Sequence, residues 1–240
     1  MKPISLDEMD RVSLMDRIDT KFYFHERLLP NILMSIQKDY DVLEINGERI
    51  MPYESSYYYT SNKTMLSWHQ NGKLNRYKMR RRKYVLTGET FLEVKFKSNK
   101  GNTIKTRKLD VNDSLKNEAF IIKNTPFSLV KLEHVLSNEF HRLMLVNKNN
   151  AERVTIDMNL KFNKKTQETQ LVENLVVLEI KSERHLGMTE LQRSLKFLHI
   201  YPNGFSKFIT GMYMFHKDLK FNRFKRRFLK INKTIEKNLL

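Results

Sequence analysis

Arg76, Lys78, Arg80 and Arg82 occupy every second position of the segment Arg76 to Tyr84, so on a strand four cations would project from one face. Such a row repels itself and cannot pack against apolar side chains, so it needs open water or a polyanion in front of it. Shorter alternations repeat the theme with carboxylates mixed in: Arg17-Asp19-Lys21, Glu93-Lys95-Lys97, Lys105-Arg107, Arg153-Thr155-Asp157 and Glu179-Lys181. These residue types suit the handling of phosphate, because Arg forks fix oxygens and Lys supplies point charge. Glu93 and Glu179 each precede a lysine by two positions. A carboxylate in such company either orients the cations through charge-assisted bonds or holds Mg²⁺ or Mn²⁺ against phosphate oxygens. We assign the orienting role to Glu93 and the metal to Glu179.

The usual phosphate loops are missing: there is no G-x-x-x-x-G-K-[ST] and no G-x-G-x-x-G. H-E-x-x-H and G-x-S-x-G are missing as well. Phosphate must therefore be held by side-chain cations, for which the strands offer Lys21, Arg76, Lys78, Arg80, Arg82, Lys95, Lys105, Arg107, Arg142, Arg153 and Lys181. The seven histidines have no metal-ligand spacing and suit surface or capping positions. Trp68 and Tyr57 to Tyr59 could stack a base, although aromatics at alternate strand positions more commonly fill a core.

The elements that must position these residues are mostly strands. Alternation of apolar and polar residues predicts strands over 18–24, 91–96, 154–160 and 176–181, with an aromatic-rich strand over 53–60. Residues 66–84, broken by Asn71-Gly72, read as a hairpin. Helical spacing appears over 26–40, 129–136, 189–198 and 205–215. The fold class expected is α+β: a large antiparallel β-structure with helices packed outside, either a sheet whose polar face meets solvent or an antiparallel β-barrel whose polar face lines a cationic lumen.

The 240 residues, 40% hydrophobic, are enough for one large domain with a true core. The formal charge of +17 predicts a polyanionic partner without choosing among nucleic acid, membrane surface, nucleotide and polyphosphate. Without cysteine, disulfides and thiolate metal sites are excluded, which is compatible with a reducing cytoplasm. No long apolar run and no signal-peptide pattern are present, so neither export nor a membrane span is expected and a cytoplasmic location is. We divide the chain into a domain over 1–216 and a basic tail over 217–240, where Phe221, Phe224 and Phe228 alternate with Arg and Lys. The tail reads as a helix packed on the domain or as an anion-seeking extension.

The ordered series Asp19-Thr20-Lys21-Phe22, Tyr57-Tyr58-Tyr59-Thr60, Asn75 to Tyr84, Phe91-Leu92-Glu93-Val94-Lys95, Arg153 to Leu160, Leu178-Glu179-Ile180-Lys181 and Phe205-Ser206-Lys207-Phe208 resembles the VTC domain, the polyphosphate polymerase module of the vacuolar transporter chaperone complex and its bacterial relatives. The resemblance implies a triphosphate tunnel fold related to the CYTH triphosphatases. It also implies transfer of the ATP γ-phosphate to a growing polyphosphate chain, with Mn²⁺ or Mg²⁺. It assigns catalytic roles to Lys21, Arg80, Arg82, Lys95, Arg142, Arg153, Lys181 and Lys207, with Lys105 among the tunnel cations and Glu179 as the metal carboxylate. Arg76, Lys78, Glu93, Lys105 and Arg107 are taken as substrate-binding. Tyr59 departs from the family, which usually has Asp there, and Arg81 and Lys83 put extra charge on the face expected outside.

The leading expectation is thus an ATP-dependent polyphosphate polymerase with ATP and polyphosphate as ligands and, as in the family, a membrane-protein partner. Two alternatives stay open. A tunnel triphosphatase would use water as acceptor; the CYTH enzymes carry E-x-E-x-K on the first strand where this chain has Arg17-Ile18-Asp19-Thr20-Lys21, which tilts the reading toward transfer. A non-catalytic module that binds polyphosphate or inositol phosphates is the other. Nucleic acid is not expected, since no RNA- or DNA-binding motif is present.

Overall fold

The computed structural model describes residues 1–12, 17–62, 64–111, 113–128, 132–164, 168–216 and 222–236. The elements in chain order are β1 (Pro3–Ile4), α1 (Leu6–Arg11), β2 (Arg17–His25), α2 (Leu29–Ile36), β3 (Tyr40–Leu43), β4 (Ile50–Thr60), α3 (Thr64–Gln70), β5 (Arg76–Tyr84), β6 (Thr90–Lys97), β7 (Thr103–Leu109), α4 (Ser114–Asn124), β8 (Leu132–Asn147), β9 (Glu152–Asn163), β10 (Thr169–Val172), β11 (Leu175–Glu183), α5 (Glu190–Phe197), α6 (Lys207–Phe215) and α7 (Lys225–Ile235). One antiparallel path runs β2-β11-β9-β8-β4-β5-β6-β7, with β10 added to β9, β3 to β8, and β1 in parallel to β3. The path curls into a half-barrel. Strand twist accumulates over this many strands and brings the two ends of the path toward each other. Among the described residues no helix is long and apolar enough to cross a membrane.

Period-two alternation gives the sheet two faces of opposite chemistry. On the convex face Phe22, Phe24, Leu143, Leu145, Val154, Ile156, Val176, Leu178 and Ile180 are covered by Ile32 and Ile36 of α2 and Leu191 and Leu195 of α5. A smaller patch of Met79, Leu92 and Val94 lies under Ile121 of α4. These helices pack outside, as expected. The concave face carries the cations, and its other part is filled by α6 and α7: Phe208 stacks on Tyr59 at 4.4 Å, and Phe224, Phe228 and Ile231 join the same core as Tyr53, Tyr57 and Phe140. The tail therefore takes the packed alternative over its described residues; Lys217 to Phe221 lie outside them.

Four sequence expectations are corrected. Residues 66–70 belong to α3, not to a hairpin strand, because Asn71-Gly72 closes a helix: Gly72 has φ +69°, and Lys73 N–H donates to Trp68 O at 2.8 Å. A positive φ serves a helix end as well as a hairpin, and the sequence does not distinguish them. The helix expected over 129–136 is strand β8 from Leu132 onward, since Leu132, Glu133, His134 and Leu136 pair across to β4; 129–131 lie outside the described residues. The helix over 26–40 ends at Ile36, and Tyr40 opens β3, where its hydroxyl donates to buried Glu152. The alternation over 154–160 changes face at Asn159, whose φ of +53° accompanies a register shift between β8 and β9. Val154 and Ile156 therefore point outward while Leu160 and Phe162 join the concave core.

Gly211 of α6 sits against β8 and β9 so closely that a Cβ would come within 2.5 Å of Leu136 Cδ2 and 2.6 Å of Phe162 Cδ1. Gly211→Ala should destabilise the protein by about 1–3 kcal/mol through overpacking, read as a lower denaturant midpoint.

Candidate functional site

The strands bring the concave-face cations together in rows fixed by register. Lys21 lies opposite Glu179, Arg142 opposite Asp157, Arg80 opposite Glu93, and Lys95 opposite Lys105. Buried like charges of this density destabilise a fold unless carboxylates are interleaved. Three carboxylates do this. Glu93, 2% exposed, takes Arg80 Nη2 at 2.6 Å on one oxygen and Lys105 Nζ at 2.5 Å on the other. Asp157 accepts Arg142 Nε at 2.6 Å and Nη2 at 2.8 Å, and also receives Lys207. Glu179 is paired with Lys21. The orienting role expected for Glu93 matches this geometry.

Beneath the cations lies an aromatic floor. The Tyr53 and Phe140 rings stack at 5.4 Å, with Arg142 5.2 and 5.1 Å from their centres, Arg82 5.7 Å from each, and Lys207 Nζ 4.3 Å over Phe140. Ring quadrupoles attract these cations without neutralising them. Arg82 is further fixed by Nε donating to Ser55 Oγ at 3.2 Å.

Proton affinities follow from burial and crowding. Burial, and after it the neighbouring cations, push Lys21, Lys95 and Lys181 down to about 8, although Asp19 opposes the shift in each. Burial and Arg142 take Lys207 to about 8 against the pull of Asp157. Lys78, beside Arg76, Lys95 and Arg80, falls to about 7, again mainly through burial. Burial works against Glu93 and Asp157, but Arg80, Arg82 and Lys105 hold Glu93 at about 2, and Arg142 and Lys207 hold Asp157 well below the usual carboxylate range. Lys21 on β2 and Lys95 on β6 influence each other across the trough, so the two limbs of the half-barrel face one another.

The structure gathers Lys21, Lys78, Arg80, Arg82, Lys95, Lys105, Arg142, Lys181 and Lys207, with Glu93 and Glu179, on the concave face. Others stand at the margins. Arg153 reaches away to Asp10 of α1 at 3.1 Å and to Val12 O at 2.5 Å. Arg107 is exposed on β7 with its guanidinium 5.0 Å from the Phe91 ring. Arg76 donates to Lys73 O at 2.7 Å. Arg81 is on the opposite face, paired with Asp110 at 2.6 Å, and Lys83 is near Glu54 at 3.7 Å. Tyr57 packs on Phe208 in the core, whereas Trp68 is half-buried between Phe127 and Lys73, whose Nζ lies 4.0 Å from its ring centre. Asp157 and the Tyr53–Phe140 floor are site features that sequence reasoning did not single out. The alternation Arg153-Thr155-Asp157 was the one available signal for Asp157.

For a divalent cation the donor set is spare. Among the described residues no three His, Asp or Glu side chains gather in a metal-binding group. Glu179 stands opposite Thr155, whose buried hydroxyl lacks a partner among the described residues. One carboxylate beside an unsatisfied hydroxyl fits Mg²⁺ or Mn²⁺ when phosphate oxygens complete the shell, which is how these hard cations are usually held beside nucleotides.

The VTC domain family model matches residues 16–216. A putative adenylate cyclase from Bacillus halodurans has a similar solved structure, at TM-score 0.51 and 10% identity over 80% of this chain and 94% of that one. A protein from Pyrococcus horikoshii OT3 aligns at TM-score 0.49 and 12% identity over 84% and 99% of the two chains. A putative adenylyl cyclase from Hippeastrum, said to show a dominant triphosphatase activity, aligns at 0.48 and 11% over 83% and 96%. No curated protein matches. The first of these likenesses is one of fold.

The lowered lysines have a stability consequence. Their folded proton affinities, about 7 to 8, lie below the ordinary 10.5, so burying them charged penalises the fold at neutral pH, and the penalty is relieved as pH rises from about 8 toward 10.5. The ligand-free protein should melt at higher temperature at pH 9.5 than at pH 7.5. Stabilisation by added tripolyphosphate should run the other way and shrink over the same interval, because a bound anion needs the lysines protonated. Differential scanning fluorimetry across pH reads both slopes.

Proposed function

The chain belongs to the VTC domain family, and from that premise we propose that it transfers the γ-phosphate of ATP to a growing polyphosphate chain within the concave trough. The observation that carries this reading is the charge balance of the site. Lys21, Lys78, Arg80, Arg82, Lys95, Lys105, Arg142, Lys181 and Lys207 are nine cations against the four carboxylates Asp19, Glu93, Asp157 and Glu179, a surplus of five positive charges in a half-buried trough. An ionised triphosphate carries a comparable negative charge.

Phosphoryl transfer through a loose transition state asks for alignment and charge neutralisation more than for a covalent nucleophile. Arg80 and Arg142 are pre-aligned by Glu93 and Asp157, and Arg82 by Ser55, so their forks reach phosphate oxygens with little reorganisation. Lys21, Lys95, Lys181 and Lys207 neutralise charge around the transferring group. Glu179, with Thr155 beside it, would hold Mn²⁺ or Mg²⁺, which would supply further neutralisation of phosphate charge. The open trough suits a polymeric acceptor, whose chain needs a continuous path.

Incubation with ATP and Mn²⁺, resolved on a gel, should give ADP and a ladder of polyphosphate. Orthophosphate without polymer would assign the trough to triphosphate hydrolysis, and binding without turnover would make it a polyanion-binding module. Arg80→Ala and Arg82→Ala should each lower turnover by roughly a hundredfold or more. Arg81→Ala, which breaks the outer-face pair with Asp110, should alter melting temperature and leave turnover nearly intact.

A second test concerns Glu179. Mn²⁺ should bind the protein weakly alone and tightly with tripolyphosphate, followed by electron paramagnetic resonance. Glu179→Gln should raise the Mn²⁺ concentration needed, whereas tight Mn²⁺ binding without phosphate would refute the shared site.

A further inference from the structure

Next to the carboxylate-interleaved ring, the concave face holds a second group of cations in which no carboxylate is interleaved. Arg223 lies in the single turn Asn222–Phe224 that leads into α7, and Arg227 in the first turn of that helix. Both are anchored by the burial of Phe224 and Phe228 in the concave core. The Arg223 guanidinium lies against Gly72, the residue that closes α3, where any Cβ would collide with it. The Arg227 guanidinium lies against Gly204, with Nη2 2.8 Å from where a Cβ would stand, and 5.4 Å from the Phe224 ring. Phe224 in turn stacks on His69, at 6.1 Å and 14°. α7 is thereby docked beside the start of β5, where Arg76 and Lys78 project.

Among the described residues, Arg76, Lys78, Arg223 and Arg227 form no ion pair; in the ring Lys21, Arg80, Lys105, Arg142 and Lys207 each hold a carboxylate, while Arg82, Lys95 and Lys181 do not. The groups that act electrostatically on His69 are these same four cations, and with burial as the main cause they push its proton affinity down to about 2. The imidazole is therefore neutral. Behind the cations lie buried polar atoms without partners among the described residues: the hydroxyls of Tyr23 and Tyr59, Nδ1 of His69, Nε2 of Gln70 and Nε of Arg76. Hydroxyls, an amide nitrogen and a guanidinium nitrogen can all donate. A buried set of donors with four unpaired cations lacks one component, an acceptor-rich anion.

We propose that Arg76, Arg223 and Arg227, backed by Tyr59 and His69, form a second oligophosphate subsite that holds phosphates several units away from the one being transferred. Lys78 links it to the ring, since it is flanked on the same sheet face by Arg76, Arg80 and Lys95. The subsite depends on α7, which lies beyond the residues matched by the family model. It rests on the proposed reading in one respect, that the trough takes a phosphate chain.

The test compares binding of tripolyphosphate and of long-chain polyphosphate by calorimetry, using the full chain and an Arg223→Ala/Arg227→Ala variant. Tripolyphosphate should bind both proteins equally, which also reports that the variant is folded. Long-chain polyphosphate should bind the variant roughly tenfold to a hundredfold more weakly, the loss expected for two charge-assisted contacts. Arg226→Ala/Lys230→Ala, which removes the same charge from the exposed side of α7, should bind both ligands as the parent does. Equal long-chain affinity in parent and variant would overturn the subsite, as would equal weakening for both ligands or for both variants. Inositol hexakisphosphate provides a compact polyanion: if the variant loses it and keeps the long chain, the cluster serves a separate molecule and the proposed chain path is wrong. If the Ala variant does not fold, Arg223→Gln/Arg227→Gln takes its place. Absence of polymer synthesis from ATP would defeat the proposed reaction, while the chain-length comparison would still decide the subsite.

Discussion

Mutual repulsion among buried cations on one face of a sheet is the constraint to which the rest of the molecule responds. Placed singly in a core, any of Arg80, Arg82, Arg142 or Lys207 would cost several kcal/mol to desolvate. Interleaved Glu93 and Asp157 offset part of that cost, each bridging two cations, and the Tyr53–Phe140 floor supplies attraction without neutralisation. The remaining surplus is what a phosphate chain would satisfy. A trough left under such tension is held open by its scaffold, and function is obtained at the expense of stability.

The scaffold can bear this because the sheet's two faces are chemically independent. The convex face carries two apolar patches, a large one under α2 and α5 and a smaller one under α4, which hold the strands in register independently of the concave face. On the concave face α6 does two jobs at once. Phe208 and Met212 bury it against Tyr57, Tyr59 and Leu136, while Lys207 at its first turn delivers a cation to Asp157. Gly211 permits the close approach that places Lys207 there.

α7 extends the same principle. Its apolar stripe of Phe224, Phe228 and Ile231 closes the concave core, and its arginines turn that packing into a second cationic surface near Arg76. Site and core are thus built from the same helices. Substitutions that loosen α6 or α7 should be felt in phosphate handling even where they touch no cation.

Much of this was legible in the sequence. Alternation alone put Arg76, Lys78, Arg80 and Arg82 on one face and Met79 on the other, because the side-chain period of a strand is fixed by backbone geometry. The ordered motifs identified the VTC domain, the family whose model matches residues 16–216. What the sequence did not determine were features that depend on which distant segments meet. Asn71-Gly72 closes a helix rather than a hairpin, residues 132–136 are strand because β4 offers an unpaired edge, and Asn159 moves Leu160 to the other face. A positive φ or an apolar run is locally ambiguous, and only long-range pairing resolves it. The same holds for the site. Residue types showed that cations would gather, but that Asp157 clamps Arg142 and Lys207, that Arg153 turns away to α1, and that Arg223 and Arg227 come to lie near Arg76 were decided by tertiary structure. Side-chain partnerships 50 or 141 residues apart are set by packing, not by any local pattern.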